Sequence, residues 1–203
     1  MIRNAMIGAA NPGLGLLAAL KQFRADDRAS QIVEFALSLP LLVVFVVGIF
    51  DFSGAISLKQ KLTNAAREGA RVAAADPAND LGASDLPASV ADAFWVVNSY
   101  LVSENIGTCG LKPIDLVQTG STLTWKETAT GPPCGSNAGL VLTINRGCVT
   151  QQTINGNTVN LVSTCVTIQY PYKWRFNSVA SLVGRAFTGP ASLTTSAAAF
   201  NEN

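Results

Sequence analysis

Across 203 residues, 48% are hydrophobic and only 13% charged, a more apolar balance than an ordinary soluble domain carries and one that fits a membrane segment joined to a single globular domain. A formal net charge of +1 offers no basic field for nucleic acid. The absence of histidine removes the commonest metal ligand and general base, so most enzyme classes lose ground at once.

Residues 1–28 carry Arg3, Lys21, Arg24 and Arg28 around a weakly apolar patch at Ala18–Leu20, with Pro12, Gly13 and Gly15 nearby. The patch is too broken to span a bilayer, and the segment is expected to be a leader that stays in the cytoplasm. From Ser30 to Ala73 the chain reads as one long helix. Phe35–Phe50 contains no charge, and with Ile32 and Val33 ahead of Glu34 the run approaches the ~20 residues that a helix rising ~1.5 Å per residue needs to cross a bilayer core. An acid costs roughly 2.5 to 3.5 kcal/mol at the centre of such a helix and less near its end. Glu34 is therefore expected either to sit at the interface, favoured by the helix dipole, or to have a partner. Pro40 removes a backbone hydrogen bond and is expected to kink the helix, as a harmless bend or as a hinge.

Past the apolar run, Leu58, Leu62, Ala65, Ala66, Gly69, Val72 and Ala73 recur at helical spacing, while Lys59, Lys61, Arg67, Glu68 and Arg71 take other positions. This spacing predicts an amphipathic helix with a flat, small-residue face that covers a β-sheet. The basic residues on this flank balance those of the leader, so charge alone does not orient the helix. Asp76-Pro77 stops it, because the residue before proline is pushed out of the α region. Ala78–Leu86 is expected to be a loop. Pro87–Ile106 reads as a second helix with Val90, Phe94, Val97 and Leu101 on one face, ended by Gly107.

From Leu111 the pattern changes to β-branched, Thr-rich runs, with strands expected near Ile114–Val117, Thr122–Glu127, Leu140–Asn145 and Thr158–Gln169. Tyr170-Pro171-Tyr172 closes the last of these. A short helix is expected at Ser178–Phe187 and a final strand at Ala191–Phe200. The fold class is thus α+β, a long N-terminal transmembrane helix continuing into an antiparallel β-sheet domain.

Cys109, Cys134, Cys148 and Cys165 all follow the apolar helix. With no His and no C-x-x-C spacing, disulfides are preferred to zinc or free thiols. Disulfides need an oxidising compartment, which puts the C-terminal domain outside the cytoplasm. If Gly156-Asn157 forms a type II′ hairpin loop, Asn155 faces Thr158 and, further along the ladder, Cys148 faces Cys165 at a site with Cα atoms about 4.5 Å apart. A loop at Asn155-Gly156 or a bulge at Gly147 would lose that match. Four cysteines allow three connectivities, so Cys109 with Cys134 follows only from that register.

The residues before the helix carry a further pattern: Ala29, Ser30, Gln31, Ile32, Val33, then Glu34 and Phe35. This resembles the TadE-like family, pseudopilins of tight-adherence pilus systems, whose processing motif is a small residue, four residues, Glu and an aromatic. The stretches Val33-Glu-Phe-Ala-Leu-Ser-Leu-Pro-Leu-Leu and Leu62-Thr-Asn-Ala-Ala-Arg-Glu-Gly-Ala-Arg71 are similar to the same family, and Tyr170-Pro171-Tyr172 is similar to its C-terminal region. The resemblance implies a class III signal cut by a prepilin peptidase between Ala29 and Ser30, although the family usually has Gly before the cut. It further implies that Glu34 pairs with the amine freed on a neighbour, and that the partners are the inner membrane, other pilin-like subunits, an assembly platform and its ATPase.

The expected organisation is a leader over 1–29, a long helix over 30–76, and a periplasmic, pilin-like α+β domain over 77–203. No cofactor, metal, nucleic acid or catalytic residue is expected, since no G-x-S-x-G, metal cluster or phosphate loop occurs. A single-pass tether for a periplasmic binding or sensor domain is the alternative. A membrane-anchored enzyme is the third reading.

Overall fold

The computed structural model describes residues 27–82, 85–120, 123–134, 139–175 and 189–202. The leader up to residue 26 and the helix expected at Ser178–Phe187 lie outside the described residues. Two compact units divide the chain, Met1–Ile49 and Phe50–Asn203.

One helix, α1 (Asp27–Ala75), contributes to both units and starts ahead of Ser30. It runs through Pro40. In the first unit its side chains from Ser30 onward are nearly all exposed, among them Ile32, Phe35, Leu37, Leu42, Phe45 and Ile49. In the second unit the same helix turns a sealed face inward, made of Leu62, Ala65, Ala66, Ala70 and Ala73.

The second unit adds α2 (Ala88–Ser103) and five antiparallel strands in meander order: β1 (Val117–Gln118), β2 (Thr124–Ala129), β3 (Leu140–Ile154), β4 (Asn157–Pro171) and β5 (Ser192–Phe200). Alternation along the strands sends Trp125, Leu140, Leu142, Ile144, Val166 and Ile168 to one face, where they join Val90, Phe94, Val97 and Leu101 of α2 and the small-residue face of α1 in a single core. The opposite face is polar: Thr167 donates to Ser196 and Gln169 to Ser192, each at 3.0 Å. The expected small-residue face thus meets a helix as well as a sheet. At Gly69 a Cβ would lie 2.6 Å from Val97 Cγ2, so only glycine lets α1 and α2 approach this closely.

Several boundaries differ from those expected. Helix α2 stops at Ser103, because Asn105 adopts a left-handed φ of 55°. The Asn105 N–H then reaches Val102 O at 3.1 Å and the Ile106 N–H reaches Leu101 O at 2.8 Å, a Schellman arrangement in which Ile106 and Leu101 share the core. Gly107 is not the terminator; a Cβ there would lie 2.3 Å from Pro133 Cγ. The first half of the strand expected at Ile114–Val117 lies in a 3-10 turn, Pro113–Asp115, opened by a proline with fixed φ and no N–H. Strand β2 runs to Ala129, two residues past its expected end at Glu127.

The β3–β4 hairpin corrects the expected register. Ile154 pairs with Asn157, so the loop is Asn155-Gly156, both at positive φ (51° and 82°), a type I′ turn. Cys148 therefore faces Ser163, not Cys165. A bulge then shifts the ladder, and Asn145 faces Cys165. Strand β3 does not end at Asn145 but continues to Ile154, and Gly147 sits inside a bulge of the kind expected to lose the cysteine match. Two residues, Arg146 and Gly147, oppose Thr164 alone, so Asn145 and Cys148 share a face.

Candidate functional site

The apolar half of α1 is built from residues that a water-soluble domain would bury. As a helix it is long and apolar enough to cross a membrane, and none of its most apolar window is buried by the chain. Ser30, Glu34, Phe35 and Pro40 lie on this exposed helix, and Phe35 is 65% exposed. The Ala29–Ser30 peptide lies within the first turn of α1, whose N–H groups have no intrahelical acceptor. Glu34 takes part in no ion pair among the described residues.

The cysteines are joined as Cys109–Cys134 and Cys148–Cys165, with Cα separations of 5.4 and 5.9 Å. The second bond crosses the bulge diagonally. Ordinary diagonal neighbours lie ~7–8 Å apart, and the extra residue draws this pair within disulfide reach. The first bond ties the loop after α2 to the loop after β2, where the Gly131 N–H also donates to Cys109 O at 2.7 Å.

Beside the bulge stands a residue whose role sequence patterns did not reveal. Arg146 is fully buried on the core side, and its Nη1 donates to Ala73 O and to Thr164 Oγ1 while Nη2 donates to Asp76 O at 3.0 Å. Helix α1 has no basic residue in its last turn, so the cation that caps its orphan carbonyls comes from β3. Burial pushes the Arg146 guanidinium below its usual range, and the nearby Asp76 and Asp80 oppose that shift. Asn201 closes the network, donating to Arg146 O and accepting from Thr164 Oγ1. Asp80 accepts the Ala88 N–H at 2.7 Å and so caps the start of α2.

Two further polar groups sit inside. Glu127 on β2 is only 3% exposed, accepts the Lys112 N–H at 2.8 Å through Oε1, and has its carboxyl pushed up by burial, with Asp115 adding to the effect. Asp51 on α1 is buried, and Tyr172 Oη donates to its Oδ1 and its carbonyl, both at 3.1 Å. Burial first, then the bond to Asp51, raises the Tyr172 phenol above its usual range. Beside this pair, Phe52 packs on Trp174 with ring centroids 5.2 Å apart, and Tyr172 meets Trp174 edge-on at 4.9 Å.

No cluster of three or more His, Cys, Asp or Glu able to hold a metal occurs among the described residues. The distinctive feature is a long helix with a bare apolar half that contains Glu34, continuing into a disulfide-bonded sheet domain. Residues 29–71 match the TadE-like protein family. No curated protein and no solved structure matches the chain. The TadE-like segment begins at Ala29 and ends at Arg71, inside the buried half of α1, so it covers the whole apolar run and much of the small-residue face but none of the sheet.

Proposed function

We propose that the chain is a pilin-like subunit of a tight-adherence pilus, anchored in the inner membrane by α1 and cut by a prepilin peptidase between Ala29 and Ser30. The observation that carries this reading is the TadE-like match, which begins at Ala29, the residue before the expected cut. Unwinding the first turn of α1 gives up few hydrogen bonds, so presenting that peptide to a protease costs little. The cut frees a positive amine at Ser30, five positions including itself from Glu34 in the mature chain, where a neighbouring subunit's amine can reach the carboxylate.

Assembly, not catalysis, is then the mechanism. Helices leave lipid for a bundle of equivalent helices, exchanging one apolar environment for another, so the desolvated Glu34–amine pair sets register more than it adds stability. The work comes from an assembly ATPase and its platform. The two disulfides support a sheet domain on the oxidising side of the membrane, with the leader in the cytoplasm.

Glu34→Gln tests the assembly role. Breaking a desolvated pair costs roughly 3 to 5 kcal/mol, more than a hundredfold in association, whereas loss of a dipole contact costs ~0.3 to 1 kcal/mol. Normal membrane levels and a mature chain starting at Ser30, with loss of recovery in the sheared pilus fraction, are expected. Wild-type recovery would leave Glu34 as an acid at the membrane interface with no part in assembly. An intact leader on the envelope protein would favour a tethered binding or sensor domain.

A further inference from the structure

Immediately after the apolar run, the second unit gathers aromatic and basic side chains at one level of α1. The segment Tyr172–Arg175 leaves β4 and is tied to the helix at Asp51 and Phe52 through the Tyr172 bonds and the Trp174–Phe52 stack. Trp174 is fixed from its other side by its Nε1 donation to Pro190 O at 2.7 Å. These rings are not core. Tyr172 and Trp174 are only half-buried, Phe52 is 48% exposed, and Lys173 and Arg175, alternating with the rings, are exposed.

Distance along the helix relates this cluster to a bilayer. From Ile32 to Phe52 the helix rises roughly 30 Å at ~1.5 Å per residue, the thickness of a hydrocarbon core. Phe52 thus falls where acyl chains give way to headgroups. Tyr and Trp, with an apolar body and a polar tip, favour that layer, and Lys and Arg there meet lipid phosphates. The polar tips are held by Asp51 and Pro190, and Phe52 keeps 48% of its surface exposed.

We propose that the strap Tyr172–Arg175, together with Phe52, lies in the headgroup layer of the membrane that α1 crosses, with the rings at the acyl boundary and Lys173 and Arg175 on lipid phosphates. This rests on α1 being a membrane helix, and it gives the sheet domain a second, reversible hold on the bilayer. A subunit drawn into a fibre releases that hold together with its helix.

The test uses the full chain in vesicles of phosphatidylcholine and phosphatidylglycerol, with bromines placed either near the headgroups or deep in the acyl chains. The wild type is compared with Trp174→Phe, which keeps an aromatic stack on Phe52 and removes one of three tryptophan emitters. Shallow bromines are expected to quench the wild type more strongly than deep ones, and the excess is expected to disappear in Trp174→Phe. Equal quenching of the two proteins, or stronger quenching by deep bromines, overturns the strap's placement. In Lys173→Glu/Arg175→Glu, the increase in shallow quenching with phosphatidylglycerol content is expected to be lost; a wild-type response removes the phosphate contacts and overturns their assignment. Carbonate washing separates the two ideas: a chain washed off the vesicles overturns the membrane helix and the strap together, whereas a retained chain with unquenched Trp174 overturns the strap alone.

Discussion

Leu42 and Leu62 belong to one helix, yet the first is 62% exposed and the second is fully sealed. The stretch around Leu42 is made of large side chains, Leu, Val, Phe and Ile, which maximise the apolar area offered to a surrounding medium at about 25 cal/mol per Å². The stretch around Leu62 uses Ala65, Ala66, Gly69, Ala70 and Ala73, which offer little area and let neighbouring backbones come close. Side-chain size, more than hydrophobicity, therefore separates the part of α1 that packs on its own chain from the part suited to lipid or to other helices. The buried half also needs its end satisfied. Arg146 supplies that from a bulge far along the sequence.

The largest effect is expected at this cap. Arg146→Met keeps an apolar stem but leaves the Ala73 and Asp76 carbonyls and Thr164 without their donor, at ~1–3 kcal/mol for each buried group left unmade, or about 3–9 kcal/mol in all. Urea unfolding of the detergent-solubilised full chain measures it. A loss under ~1 kcal/mol would mean that the end of α1 is satisfied by water and that the network is incidental. Leu62→Ala is expected to cost ~2–5 kcal/mol in the same assay, because the site is enclosed by small, rigid neighbours that collapse poorly into a cavity. Gly69→Val sharpens the size argument. Its first added carbon would lie 2.6 Å from Val97 Cγ2, and the resulting overpacking is expected to cost ~1–3 kcal/mol although the change makes the residue more apolar.

These positions also mark what could be read from the sequence. The apolar run, the small-residue face and the spacing of Val90, Phe94, Val97 and Leu101 were legible because a helix repeats its environment every few residues, so local pattern and tertiary surroundings carry the same information. The Asn155-Gly156 turn is legible too, as the preferred type I′ dipeptide, although its register does not set Cys148 opposite Cys165. Arg146 was not legible. Its inward place continues the alternation of Leu140, Leu142 and Ile144, but the carbonyls it caps, Ala73 and Asp76, are about 70 residues away in sequence. The Phe52–Trp174 stack is hidden for the same reason, since no local period connects a helix residue to the end of a distant strand. Sequence pattern reports periodic burial; single long-range polar contacts leave no period behind.

A smaller effect is expected at Glu127. Its carboxyl is raised above the ordinary 4.5 in the folded chain, so folding favours the protonated form. The contribution is fully present below the ordinary value and is lost as pH rises through the folded value, so at neutral pH the carboxylate opposes folding. Glu127→Gln retains an oxygen for the Lys112 N–H and carries no charge. Its stability is expected to change less between pH 4 and pH 7 than the wild type's, and to match or exceed the wild type at pH 7. A variant that is markedly weaker at pH 7 would show that the charged form is held by an interaction stronger than its desolvation.

The smallest effect on the folded domain is expected at Leu42→Ala, and it bears most directly on the difference between the two halves of α1. Leu42 is exposed on a helix whose apolar window is not covered by the chain, so truncating it removes no packing and should shift urea unfolding of the sheet domain by no more than ~0.5 kcal/mol, as surface substitutions do. The same deletion at Leu62 is chemically identical and should cost several-fold more. The Leu42 change should act instead on partition into the bilayer, since a Leu contributes about −0.3 to −0.6 kcal/mol to insertion and Ala less. One such substitution leaves the helix inserted; Leu37, Leu41 and Leu42 all changed to Ala should increase the fraction removed by carbonate while the unfolding midpoint stays put. A fall in that midpoint comparable to the Leu62→Ala value would mean that the apolar run is packed against protein in the folded chain. The contrast between a lipid-facing and a protein-facing half would then be wrong at its root.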